Sequence, residues 1–206
     1  MIDPNLQMCT DQNLANLDLF TKSISKLRKN SESFQKDYIS GKPYPHLVVD
    51  DLFEADILDR IAAEFPKAEN RDWLVWDTNH ETKSTSRGIA GLPMFTQIFS
   101  LWLNSSEFIN EVKRITGIDD LVPDPLFFGA GLHEMRRNGW LEVHADYTRH
   151  PVMPLTRRVN LLIYLNRDWD PAWGGGLELW DSPTPKQKVS YPCNFNRTII
   201  FPTTSD

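Results

Sequence analysis

Cysteine is nearly absent. Cys9 and Cys193 are the only two in 206 residues, too few for a disulfide framework and without metal-ligand spacing. A reducing, cytoplasmic setting is therefore expected. The opening Met1-Ile2-Asp3-Pro4-Asn5 has no basic region followed by an apolar core, so no signal peptide is expected. No apolar run approaches a membrane span either; the longest, Leu161–Leu165, has the length of a buried strand. Basic charge is not in excess. With a formal charge of −6, and with Arg136-Arg137 and Arg157-Arg158 as isolated pairs, the chain lacks the footprint of a nucleic-acid binder. Internal repeats and low-complexity tracts are missing too.

What is present is a globular composition, 40% hydrophobic and 24% charged, long enough for one well-buried domain and too short for two ordinary ones. Leu14, Leu17, Phe20, Ile24 and Leu27 recur at three- and four-residue steps, followed by Phe34 and Tyr38, and predict an amphipathic helical region over 11–40 whose apolar face packs on the domain. Gly41-Lys42-Pro43-Tyr44-Pro45 breaks it. His46–Val49 reads as a short strand, with His46 a structural histidine. Asp51 and Glu54 resemble a capping box for a helix through Ile57, Ile61 and Phe65, stopped by Pro66.

Residues 67–92 are polar and loop-like, a length that in compact domains often marks a lid. Trp73 and Trp76 within it are expected as core anchors, and His80 as a solvated loop residue. Two helices follow. One carries Phe95, Ile98 and Leu101; the other starts at Asn104 with Glu107 as reciprocal cap, runs through Phe108, Val112 and Ile115, and ends at Gly117. Beyond Pro123 and Pro125, short alternating segments predict strands near 126–135, 140–145, 158–165, 176–180, 188–192 and 197–201. The expected fold class is α+β, with N-terminal helices supporting a mainly β core.

Chemistry concentrates in three stretches. His144 and Asp146 stand two residues apart on an expected strand, so both side chains project to one face. An imidazole beside a carboxylate supplies two of the three ligands in the 2-His-1-carboxylate site of non-heme iron oxygenases. Alone, the pair is a weak signal, since most such pairs are surface residues or members of a hydrogen-bonded network. Arg157–Asn166 is the second stretch: Val159, Leu161, Ile163 and Leu165 share one face, while Arg158, Asn160, Leu162 and Tyr164 share the other. That second face either meets solvent or lines a pocket for an anion, for which a guanidinium and a phenol are suitable donors. The third is Trp173-Gly174-Gly175-Gly176 before Leu177, where glycines permit a bulge or close backbone approach.

Taken in order, His144-Ala145-Asp146, then Arg157-Arg158-Val159-Asn160-Leu161-Leu162-Ile163-Tyr164-Leu165-Asn166 with Trp169, then Gly175-Gly176-Leu177, then Asn196-Arg197 with Phe201, resemble the prolyl 4-hydroxylase-like 2-oxoglutarate- and iron(II)-dependent dioxygenases. The 44–66 stretch also resembles that family's lead-in. The resemblance implies a double-stranded β-helix, or jelly roll, over 41–206 with residues 1–40 as a helical extension. It implies Fe(II), 2-oxoglutarate and O2 as cofactor and co-substrates, with ascorbate as an accessory reductant. The implied activity is hydroxylation of an unactivated C–H bond in peptidyl or free proline or another small amino-acid-like substrate, with release of succinate and CO2.

By that resemblance His144 and Asp146 are the first two iron ligands, and Tyr164 meets the distal carboxylate of 2-oxoglutarate. Arg157 or Arg158 falls in the substrate pocket. Face parity turns Arg158 inward, toward the co-substrate, unless a bulge at the strand start reverses it. His133 and Trp140 are further substrate-pocket candidates, and core or hairpin packing explains them as well.

The family's distal histidine and the basic residue beyond it do not occur before Asp206. The expectation is a chain cut before its final hairpin, with the third ligand beyond Asp206; His133 or His150 as substitutes do not fit the family's position. Two other readings stay open: a non-catalytic jelly-roll module binding a small ligand or a protein, and a zinc enzyme, which would leave the anion face without a role. Oligomeric state is not legible.

Overall fold

Among the described residues, three sheets hold the β part of the chain. The computed structural model describes residues 18–67, 72–182, 186 and 188–203. Leu14, Leu17, Cys9 and the third ligand expected beyond Asp206 lie outside them. Among the described residues no helix is long and apolar enough to cross a membrane.

The helical layer comes first. Residues 18–29 (α1) and Ser31–Ser40 (α2) form two helices separated by a turn at Asn30, instead of the continuous helical region expected. Phe20, Ile24, Leu27 and Tyr38 are buried in the main core, as the periodicity requires. Leu47–Asp50 (β1) leads into Ala55–Glu64 (α3), which buries Ile57, Leu58 and Ile61. The expected capping box is absent. Asp51 takes a left-handed φ of 55°, the α3 N-cap is Glu54 without a side-chain cap, and the Glu54 amide donates to Ser23 Oγ of α1 instead.

The stretch expected to be a loop is a hairpin, Leu74–Asp77 (β2) with Thr82–Thr85 (β3). Only Trp73 anchors: it packs edge-on against Phe65, whereas Trp76 is exposed. Met94–Leu103 (α4) buries Phe95, Thr96 and Phe99 and leaves Ile98 and Leu101 exposed, so the expected face is rotated. The reason is aromatic packing: Phe20 lies 4.8 Å from Trp102 and 6.0 Å from Phe95, and Phe53 lies 5.3 Å from Phe99. Ser106–Thr116 (α5) is capped by Ser105, one residue later than Asn104, and ends at Gly117 with φ 72° as expected. It buries Phe108, Val112 and Ile115, each contributing about 1.5–3 kcal/mol on transfer from water.

His133–Glu134 (β4) extends the β2–β3 sheet. Of the strand expected over 126–135 only these two residues pair regularly. Val159–Ile163 (β5) and Arg197–Pro202 (β8) pair antiparallel, and β8 pairs β1 on its other edge, giving the order β1-β8-β5. Leu177–Trp180 (β6) and Lys188–Tyr191 (β7) form a two-stranded sheet. Register divides the three-stranded sheet into two faces. Leu47, Val49, Leu161, Ile163 and Ile200 point at the helices and their core. Val48, Asn160, Leu162, Ile199 and Phe201 point the other way. The alternation read over 159–165 is therefore the alternation observed.

Candidate metal and co-substrate site

The segment bearing His144 and Asp146 is not a regular strand, contrary to expectation. Its hydrogen-bonding partners stop and restart. On the N-terminal side, Thr82 N–H donates to Trp140 O at 2.7 Å, Leu141 bridges Glu81, and Glu142 N–H donates to His80 O at 2.9 Å. His80 Nδ1 also meets Glu142 Oε2 at 2.6 Å. On the C-terminal side pairing resumes only at Thr148 O, which accepts from Arg157 N–H, and at the Arg149–Thr156 bridge. Between the two anchors the chain makes no strand pairing, and here His144 and Asp146 sit.

They do converge. His144 Nε2 and Asp146 Oδ1 are 3.4 Å apart. Two donors each about 2.1 Å from one metal and at right angles stand roughly 3 Å apart. The tautomer is fixed as well, because His144 Nδ1–H donates to Glu142 O at 2.7 Å, leaving the Nε2 lone pair free. The other Asp146 oxygen, Oδ2, accepts from Asn160 Nδ2. The arrangement therefore presents one nitrogen and one oxygen toward a common point, a donor set that fits Fe(II). Among the described residues no group of three or more His, Cys, Asp or Glu side chains assembles.

Arg157 and Arg158 have exchanged the roles face parity assigns. Arg157 Nη2 is 3.9 Å from Asp146 Oδ2, donates to Asn160 Oδ1, and lies 4.8 Å from the centre of the Tyr147 ring. Arg158 turns away to Asp120 at 2.9 Å. Parity holds only inside a regular strand, and β5 begins at Val159; Thr203 fixes the entry by donating from its N–H to Arg158 O and from its hydroxyl to Arg157 O.

His133 stands opposite Thr85 on β4. The residue is exposed, and desolvation first, then the Lys83 charge, holds its pKa below the usual value against the backbone hydrogen bond of Gly129 and the Asp146 charge. Trp140 is exposed, and its backbone supplies the anchor to Thr82. Tyr164 continues the β5–β8 ladder through Arg197 O and Asn196 N–H. Burial pushes its hydroxyl far above the usual range, with Cys193 adding to the rise. It shares a face with Asn160, about 13 Å further along the strand. His150 is not a substitute ligand: Nδ1 accepts from Val152 and Met153 N–H, and Nε2 faces Asp124 at 3.5 Å.

Sequence reasoning missed Tyr44 and Tyr147. Burial, then the Asp146 charge, raises the Tyr44 hydroxyl. Tyr147 donates to Phe128 O at 3.0 Å, over Gly129, where a Cβ would strike its hydroxyl and φ is +74°. Tyr147 belongs to no motif, and Tyr44 stands at the start of the 44–66 stretch, whose resemblance assigns it no site role. A depression of about 320 Å³ lined by Val75, Ser84, Glu134 and Arg137 lies on the Glu134 face of the hairpin sheet, opposite the His133 face. No histidine lines it, and the donor chemistry lies at His144 and Asp146.

Residues 130–206, which contain this pair, match the family model described as the 2OG-Fe(II) oxygenase superfamily. The matched segment is the part of the chain that carries the likeness to 2-oxoglutarate- and iron(II)-dependent oxygenases. Among solved structures, the chain is similar to a prolyl hydroxylase from Trichoplax adhaerens in complex with a hypoxia inducible factor oxygen degradation domain peptide fragment. Identity is 14%, over 86% of this chain and 81% of that one, with a TM-score of 0.54, a likeness of fold. A prolyl 4-hydroxylase from Phytophthora capsici aligns at 16% identity over 89% of this chain and 57% of its own, with a TM-score of 0.46. No curated protein matches the sequence.

Proposed function

We propose that the protein is a 2-oxoglutarate- and iron(II)-dependent dioxygenase that hydroxylates an unactivated C–H bond of a prolyl or similar amino-acid-like substrate, free or within a peptide. The observation that carries this reading is the convergence of His144 Nε2 and Asp146 Oδ1 inside the segment matched to the superfamily. Bound Fe(II) with 2-oxoglutarate and O2 supplies the oxidising power for that hydroxylation, releasing succinate and CO2.

The chain's own residues do the rest. His144 Nε2 and Asp146 Oδ1 would hold the metal, which would supply the site for co-substrate and O2. Tyr164, on the interior face with Leu162 and Phe201, offers a protonated hydroxyl to the distal carboxylate of 2-oxoglutarate. The apolar side chains of that face exclude water from the reacting centre. Exposed Phe128 and Tyr147, with Arg157 over the Tyr147 ring, would form the outer rim that meets the substrate. A peptide-binding relative of the same fold supports this choice of substrate class. The complete jelly roll is part of the proposal, as is a third metal ligand outside the described residues.

Anaerobic titration of the full-length protein with Fe(II) and 2-oxoglutarate tests it. The expected result is a weak visible charge-transfer band that His144→Ala abolishes, with succinate release on admitting O2. No band and no succinate would overturn the reading.

A further inference from the structure

Asn160 touches no solvent to speak of, at 6% exposure, and both ends of its amide are committed. Nδ2 donates to Asp146 Oδ2, and Oδ1 accepts from Arg157 Nη2. The direction of this chain is forced. A guanidinium can only donate, so the amide oxygen must face Arg157 and the amide NH2 must face the carboxylate. Arg157 in turn is not free to swing. Its N–H donates to Thr148 O, its carbonyl accepts from Thr203 Oγ1, and its guanidinium lies over the Tyr147 ring. Asp146 needs such support because its own backbone stretch lacks strand partners.

We infer that Asn160 is a positioning residue for Asp146, and that Arg157 orients Asn160. An Arg157–Asn160–Asp146 relay holds the carboxylate in one orientation, with Oδ2 tethered and Oδ1 turned to the metal beside His144 Nε2. A carboxylate so tethered binds through one oxygen. The inference rests on the oxygenase reading of His144 and Asp146, and assigns to β5 a task that reading does not require. A purely structural Asn160 would satisfy buried polar groups of the apo fold and leave metal affinity alone.

Anaerobic titration of the full chain with Co(II), followed by its visible d–d absorption, separates these. In Asn160→Asp the shape is kept, the donor is lost and a like charge faces Oδ2. In Asn160→Ala the tether is simply removed. Both variants are expected to lose about 10–100-fold in Co(II) affinity, the usual cost of removing a group that orients a metal ligand. The band of Asn160→Ala should also change in intensity as Asp146 turns toward two-oxygen ligation, while apo thermal midpoints stay close to that of the parent. Arg157→Met, which leaves Asn160 intact but frees its amide to flip, should weaken Co(II) in the same direction and keeps the test alive if an Asn160 variant fails to fold. Parent-like affinity and band in Asn160→Ala and Arg157→Met would overturn the relay while leaving the oxygenase reading standing. Absence of Co(II) binding by the parent chain would overturn that reading and the relay with it.

Discussion

His46 and Tyr191 share a 2.6 Å hydrogen bond that ties the β1-β8-β5 sheet to the β6–β7 sheet. His46 Nδ1–H donates to Tyr44 O at 2.8 Å, so Nε2 is the acceptor and the Tyr191 hydroxyl the donor. The imidazole is 5% exposed, and removing its partner strands a buried acceptor. Tyr191→Phe should cost about 1–3 kcal/mol. For a chain of this size that is a fall in Tm of roughly 2–4 °C per kcal/mol, read by thermal denaturation. An unchanged Tm would mean the two sheets are not held together here.

Asn196 offers a sharper stability test. It sits at φ 60°, is buried, and clamps Phe53 by accepting from its N–H at 3.2 Å and donating to its carbonyl at 2.7 Å. Asn196→Ala loses both bonds and keeps a Cβ in the left-handed region, where it costs about 1–2 kcal/mol relative to glycine. Asn196→Gly loses only the bonds. The glycine variant should therefore be the more stable of the two by about 1 kcal/mol in urea denaturation, with both below the parent.

These residues also show what the sequence made legible. The alternation from Val159 to Leu165 gave the faces of β5 correctly because a regular strand has a fixed period. The same rule misplaced Arg158, which precedes the strand, and called His144 and Asp146 a strand when their neighbours come from residues 80–82 and 148–157. Such pairing is set by tertiary contacts far along the chain, which local periodicity does not encode. The Asn196-Arg197 motif was visible, but not that Asn196 brackets Phe53 or that Arg197 makes paired hydrogen bonds to Asp50 at 2.7 Å. Glycines were readable in kind: a Cβ on Gly176 would stand 2.9 Å from Tyr191 O, the close backbone approach its position suggested.

His133 carries a pH dependence of definite sign. Its folded pKa lies below the usual imidazole value, through desolvation first and Lys83 second. The folded state therefore favours the neutral ring, whereas the unfolded chain takes up a proton near pH 6.5. Its contribution to stability is present above that pH and is lost as pH falls from about 6.5 toward the lower folded value. Urea midpoints of the parent and of His133→Asn, measured from pH 7.5 to pH 5.5, should converge or cross on acidification. A parallel pair of curves would show that His133 titrates alike in both states.

Arg157 and Arg158 are neighbours with opposite expected phenotypes. Arg158 makes an ion pair with Asp120, whose side chain is 70% exposed, so Arg158→Met should change stability by no more than about 0–1 kcal/mol. With its guanidinium directed away from Asp146, its loss should leave the 2-oxoglutarate concentration required for half-maximal succinate release unchanged. Arg157→Met removes a charged donor from the Asn160 amide and its contact with the Tyr147 ring. Its succinate release should fall at least tenfold at fixed Fe(II), and recover in part as Fe(II) is raised, because the defect lies in metal retention. If Arg158→Met instead raised the 2-oxoglutarate requirement while Arg157→Met did not respond to iron, the inward arginine would be Arg158 after all, and the strand would have to begin one residue earlier than Val159.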